Sequence, residues 1–156
     1  GSPPAGLAKF TWDGKLSGRT LAVATYKARI TPTANGMTGT SYTITVKIVR
    51  YPTVTWRSYA SKFRATGANY ALCTYKVNYP TNAVIQVINS RGKVAATVRS
   101  YTNMPPNRYY AVTWNGKATA GNTAGLTAGA LVPTGSYTLR ITVGPRYYYK
   151  TIRITR

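Results

Sequence analysis

The sequence has no histidine, one acidic residue (Asp13) and one cysteine (Cys73). These absences exclude most enzyme chemistry before any pattern is considered. General acid–base catalysis rests mainly on His, Glu or Asp, with Lys, Tyr and Cys less often in the role. Glycoside cleavage in its usual form takes two carboxylates, and a hard-cation site takes several oxygen ligands. One carboxylate supplies none of these, so no catalytic residue, no metal site and no cofactor is expected, and the chain does not read as an enzyme. Cys73 has no second cysteine to pair with inside the chain. It lies in phase with Tyr75, Val77 and Tyr79, the apolar side of an alternating run, and reads as a small buried core residue. A nucleophilic thiol needs a neighbouring base, and no imidazole exists to provide one. No run of about 18 apolar residues occurs, so no insertion into a membrane is expected. No signal-peptide pattern occurs either, and Gly1-Ser2 reads as the remnant of a tag, which implies a piece of a longer protein.

What the chain does have is cations and aromatics. Lys and Arg number 21 against the single acid, a formal charge of +20 over 156 residues. Clustered cations gain most from many-charged ligands and from the counterions those ligands release, so the charge points to a polyanion as partner. The chain is not a disordered basic tail, because 44% of it is hydrophobic and it holds 14 Tyr and 3 Trp, side chains that bury large apolar areas.

Period-two patterning dominates, and helical periodicity is nearly absent. Tyr137, Leu139, Ile141 and Val143 alternate with Thr138, Arg140 and Thr142. The same grammar recurs at Tyr26, Ala28 and Ile30, and at Tyr42, Ile44, Val46 and Ile48. Further strands are expected at Cys73–Tyr79, Ala83–Asn89, Val94–Arg99, Tyr109–Trp114 and Tyr148–Thr155, with Asn89-Ser90-Arg91-Gly92 as a hairpin turn. Short strands separated by Pro and Gly predict an all-β fold, an antiparallel β-sandwich.

An internal repeat organises these strands. Trp12-Asp13-Gly14-Lys15 matches Trp114-Asn115-Gly116-Lys117, and Pro3-Pro4 matches Pro105-Pro106 at the same offset. Each tetrapeptide is followed by a Gly-containing loop and a strand opening on Tyr, Ala24-Thr25-Tyr26 in one copy and Gly135-Ser136-Tyr137 in the other. The second copy alone has strands upstream of its tetrapeptide. The expected organisation is therefore residues 1–50 as the C-terminal half of a first repeat, 51–66 as a linker or first strand, and 67–156 as a complete sandwich.

A strand with a Gly turn (Val84–Val94), then Trp-Asp/Asn-Gly, then Val132-Pro133-x-Gly135-x-Tyr137, resembles the immunoglobulin-like domain of the flagellar hook-capping protein. The likeness covers about residues 70–156 in full and 5–50 as a half. Ala22-Val23-Ala24 stands where the pattern has Pro-x-Gly, and Asn115 where it has Asp. The resemblance implies tandem immunoglobulin-like sandwiches in a large secreted or surface-attached bacterial protein, and it implies no particular ligand.

Six residues read as structural turns: Trp12, Asp13, Gly14, Trp114, Asn115 and Gly116. In each triplet Trp plugs a core, Asp or Asn makes a side-chain-to-backbone bond, and Gly takes a positive φ. Outward strand positions are mostly Thr, Lys and Arg, with Lys27, Arg29, Lys47, Lys76 and Arg99 among the cations. Mixed cation–aromatic clusters supply the candidate binding residues: Arg57, Tyr59, Lys62 and Arg64; Arg108 and Tyr109; Arg146, Tyr147, Tyr149 and Lys150; and the outward Arg140 and Arg153. Rings stack on sugars or bases while guanidinium groups hold anions bidentately. Alternation requires one of Tyr109 and Tyr110, and one of Tyr147 and Tyr148, to face solvent. The expected partner is an anionic cell-wall or extracellular polysaccharide, teichoic acid, or DNA bound without sequence preference, since no sequence-reading motif is present. The competing expectation is a structural or adhesive surface subunit that self-associates by strand complementation.

Overall fold

The computed structural model describes residues 11–68 and 70–156, so Gly1-Ser2 and Pro3-Pro4 lie outside the described residues. Every regular element among them is a strand, and none of their segments is a helix long and apolar enough to cross a membrane. The chain divides into two compact units, Gly1–Arg50 and Tyr51–Arg156.

The first unit consists of three two-stranded antiparallel ribbons. β1 (Lys15–Leu16) pairs with β2 (Arg19–Thr20), β3 (Ala24–Ile30) with β6 (Tyr42–Ile48), and β4 (Thr33–Ala34) with β5 (Met37–Thr38). None of its described residues is buried. Ile30, Tyr42 and Ile44 remain 44%, 64% and 46% exposed, because no second sheet among the described residues of this unit covers the apolar side of the β3–β6 hairpin.

The second unit is a sandwich. A three-stranded antiparallel sheet, β12-β9-β7, comprises β7 (Val54–Tyr59), β9 (Tyr70–Val77) and β12 (Tyr110–Trp114). The five-stranded sheet, β11-β10-β13-β14-β8, comprises β8 (Lys62–Arg64), β10 (Thr81–Asn89), β11 (Val94–Met104), β13 (Gly135–Val143) and β14 (Arg146–Thr155). Alternation decides which side chains go in: Ala83, Ile85 and Val87 of β10, Leu139, Ile141 and Val143 of β13, and Ile152 and Ile154 of β14 meet Leu72, Tyr75, Val77, Val112 and Trp114 from the other sheet in one core. Phe63 of β8 stacks on Trp114, centroids 5.2 Å apart and planes at 19°.

The β10–β11 connection is a tight hairpin. The Gly92 N–H donates to the Asn89 carbonyl at 3.0 Å, and Asn89 Oδ1 accepts from the Arg91 and Lys93 N–H groups at 3.0 and 2.9 Å.

Three features depart from simple alternation. β8 joins β14 in parallel, Ile154 opposite Phe63, while the other pairings are antiparallel. Leu72 and Cys73 are both buried, because β9 bulges against β12: Cys73 pairs with Val112 and Ala71 with Thr113, leaving Leu72 without a partner on that strand. Tyr79 does not continue the apolar side of β9. That strand stops at Val77, where the Asn107 N–H takes the Val77 carbonyl at 2.7 Å and Asn78 Oδ1 takes the Thr53 N–H at 2.7 Å. Tyr79 then turns outward, 36% exposed, ahead of Pro80.

The two tetrapeptides build the same turn. The indole Nε1–H of Trp12 donates to the Lys15 carbonyl at 2.7 Å, and that of Trp114 to the Lys117 carbonyl at 2.9 Å. Asp13 Oδ1 accepts the Lys15 N–H at 3.0 Å, and Asn115 Oδ1 the Lys117 N–H at 3.1 Å. Gly14 and Gly116 have φ of +76° and +79°. Further along each copy, the Tyr26 hydroxyl donates to the Ala22 carbonyl and the Tyr137 hydroxyl to the Pro133 carbonyl, both at 3.0 Å. The copies differ in packing. Trp114 is 5% exposed and Trp12 36%, so the expectation that the tryptophan plugs a core does not describe Trp12.

Candidate functional site

The sandwich distributes the candidate binding residues over three surfaces, because alternation sends neighbours in sequence to opposite sides of a strand. Each lone sequence cluster is thereby divided.

The outer face of the five-stranded sheet carries Arg140, Tyr147, Tyr149, Arg153, Lys62 and Arg64. Its register places Gln86 opposite Arg140, Arg140 opposite Tyr149, Thr142 opposite Tyr147, and Arg153 opposite Lys62. A chain of side-chain bonds crosses the sheet: an Arg140 Nη2–H donates to Gln86 Oε1, and Gln86 Nε2 donates to Thr97 Oγ1 at 3.1 Å. The Arg140 guanidinium lies 5.3 Å from the Tyr147 ring centroid, and Tyr147 stacks with Tyr149 at 6.3 Å and 27°. Arg140 Nε is buried and has no hydrogen-bond partner among the described residues.

The outer face of the three-stranded sheet gathers Arg57 and Tyr109 with Lys76. Arg57 and Lys76 sit 5.1 and 5.5 Å from the Tyr109 centroid. A third group lines the side where β14 passes β7. Lys150 lies 5.1 Å from the Tyr59 ring, Arg146 lies 5.2 Å from the Tyr51 ring, and the Tyr148 hydroxyl donates to the Pro52 carbonyl at 3.2 Å.

Arg108 belongs to none of these surfaces. Its Nε donates to the Tyr110 hydroxyl at 2.6 Å, its guanidinium lies 4.8 Å from that ring, and the same hydroxyl donates to the Pro105 carbonyl at 2.9 Å. That arrangement braces one end of the sandwich. The tyrosine pairs divide by alternation: Tyr109 is 47% exposed and Tyr110 8%, while Tyr147 is 55% exposed and Tyr148 half-buried.

The electrostatics follow from the missing acids. Among the described residues the one ion pair is Lys15 Nζ to Asp13 Oδ2, 3.3 Å, in the first unit. In the sandwich the electron-rich neighbours of the cations are tyrosine faces. A cation over an exposed ring gains about 0.5–1 kcal/mol without losing its charge. The aromatics therefore hold the cations in place and leave them positive. Cys73 is buried, and burial pushes its thiol up to about 12, which favours the neutral thiol over the thiolate. Burial also raises Tyr75, with Tyr101, Cys73 and Tyr110 adding smaller contributions, and raises Tyr137. No group of three or more His, Cys, Asp or Glu stands together among the described residues. The recess at the β7–β9 bulge, lined by Tyr59, Leu72 and Cys73 among others, holds no charged group.

Sequence reasoning missed Gln86, Thr97 and Tyr51, and it did not join Lys76 to Tyr109. Gln86 is in the outward phase of its strand, so its face was readable. Its place beside Arg140, 54 residues away in the chain, depends on cross-strand register, which sequence does not show.

No protein-family model matches the sequence, and no curated protein matches it. A solved structure of domains 4 and 5 of the S-layer protein SbsC aligns at 17% identity with a TM-score of 0.43, over 74% of this chain. The aligned part spans 59% of that protein's chain. A likeness at that score assigns neither a fold family nor a function.

Proposed function

We propose that the chain is a non-catalytic binding module of a secreted bacterial protein, attaching it to an anionic cell-envelope polymer: teichoic acid, acidic polysaccharide or extracellular DNA. One observation carries the reading. Seven cations of the sandwich (Arg57, Lys76, Arg99, Arg108, Arg140, Arg146 and Lys150) rest against tyrosine faces, with no acid in residues 51–156 to neutralise them. Solubility is served by charge of either sign, whereas near-elimination of acids favours contact with anions in particular. The resemblance to the hook-capping immunoglobulin-like domain adds the expectation of a secreted or surface-attached parent. The test is co-sedimentation of the chain with isolated bacterial cell wall, before and after teichoic acid is stripped, across a salt series. Binding that collapses with salt supports the reading; no binding, or binding indifferent to salt, overturns it.

A second reading, a self-associating surface subunit, draws on the uncovered β3–β6 hairpin, whose apolar side keeps Ile30, Tyr42 and Ile44 exposed. Sedimentation at rising protein concentration tests it, and a strict monomer at high concentration contradicts it.

A further inference from the structure

We infer that the outer face of the five-stranded sheet, centred on Arg140, is a site for an acidic polysaccharide whose sugar rings carry carboxylates. The inference rests on the polyanion reading above and narrows it to one face and one polymer class. Three kinds of group meet on that face, and each matches a different part of such a ligand.

The first is a fixed anion receptor. Arg140 is clamped on one side by Gln86, which is itself held by Thr97, and rests against the Tyr147 ring 5.3 Å away. A guanidinium immobilised in this way presents its fork to a carboxylate without first losing rotamer freedom. Its buried Nε finds no acceptor among the described residues.

The second is an apolar strip. Tyr147 and Tyr149 are 55% and 54% exposed and stack on one another at 6.3 Å and 27°. Their exposed portions offer apolar ring surface to the C–H face of a pyranose. The third is an uncharged hydrogen-bonding surround. Thr138, Thr142 and Thr151 occupy outward positions between and beside these residues, as the register shows. Their hydroxyls donate to and accept from sugar hydroxyls alike. Beyond Tyr149 the cationic row continues in Arg153 and, on β8, Lys62.

Other polyanions leave part of this face unused. A glycerol–phosphate chain has no ring to lie on the strip. On the opposite sheet a single exposed ring, Tyr109, meets Arg57 and Lys76, so that face carries charge without a pair of rings and serves as the internal control.

The test titrates the full chain with polygalacturonate, inorganic polyphosphate and single-stranded DNA at one ionic strength. The Y147A/Y149A double variant is expected to lose about tenfold in affinity for polygalacturonate and to stay within about twofold for polyphosphate, since stacking matters only where the ligand has rings. Arg140→Lys keeps the charge and loses a fork that suits carboxylate and phosphate alike, and it is expected to weaken polygalacturonate more than polyphosphate because the former is the ligand centred on this face. R57Q/K76Q is expected to do the reverse. Circular dichroism with thermal melts establishes that each variant is folded. Equal losses on both polymers, or no loss on polygalacturonate, overturn the inference. So does a larger loss on single-stranded DNA, which assigns the strip to nucleic acid. Wild-type binding to polyphosphate without polygalacturonate defeats this inference alone, while failure to bind all three defeats the polyanion reading beneath it.

Discussion

Single residues divide here into those that hold the sandwich and those that face outward. Gly116 is of the first kind. A Cβ there would stand 2.8 Å from Ala65 Cβ and 3.2 Å from Phe63 Cε1, on backbone at φ +79°. Gly92, in the β10–β11 turn, has φ +74° and open space around it. Both alanine substitutions incur the left-handed backbone cost of roughly 1–2 kcal/mol. Gly116→Ala adds overpacking of roughly 1–3 kcal/mol. Urea denaturation should therefore rank Gly116→Ala well below Gly92→Ala, and equal midpoints would show that the Gly116 turn is looser than described. Cys73 gives a pH prediction. Its folded thiol is pushed up to about 12, above an unfolded value near 9.0. The neutral thiol is thus favoured in the fold, and its contribution is complete below pH 9. As pH rises from 9 towards 12, the unfolded state ionises first and stability falls by about 1.4 kcal/mol per pH unit from this group. Burial of Tyr75 and Tyr137 acts in the same direction. Cys73→Ala should flatten the alkaline decline; an unchanged slope would contradict the assignment.

At the scale of elements, strands were legible because alternation and the Tyr-opening repeat are local signals. The Tyr137, Leu139, Ile141, Val143 run needed only period two, and β13 holds it as Gly135–Val143. What sequence did not show was pairing. β8 is three residues long with a single apolar residue, Phe63, too short to carry a pattern, and its parallel union with β14 depends on partners 91 residues away. The bulge at Leu72 interrupts the alternation of β9, and Tyr79 was assigned inward because the alternation was read past Val77, where the strand stops. Binding clusters suffered likewise: Arg146 to Lys150 is one run in sequence and two surfaces in the fold. The β3–β6 hairpin shows the converse. It repeats the hydrogen bonding of its counterpart around β13 without the packing, so Trp12 is exposed where Trp114 is buried. If self-association covers this hairpin, Ile44→Lys should abolish concentration-dependent multimers in sedimentation, and multimers that persist would place the contact elsewhere.

Over the whole molecule, the charge of +20 is the feature sequence displayed most openly, and the fold gives it an arrangement. Cations occupy the outer faces of both sheets and the flank between them, and seven of them rest against tyrosine rings. Asp13, the lone acid, makes a backbone turn that Asn115 makes equally well in the second copy, so acids have no role on the sandwich surface. A surface of this kind binds by releasing counterions, and its affinity falls steeply as salt is added. The most direct measurement is the salt dependence of binding to isolated cell wall. The account predicts tight binding at about 50 mM salt, at least about tenfold weaker by about 200 mM, with a straight negative slope of log affinity against log salt. A flat line across that range, or no binding at its low end, would contradict it.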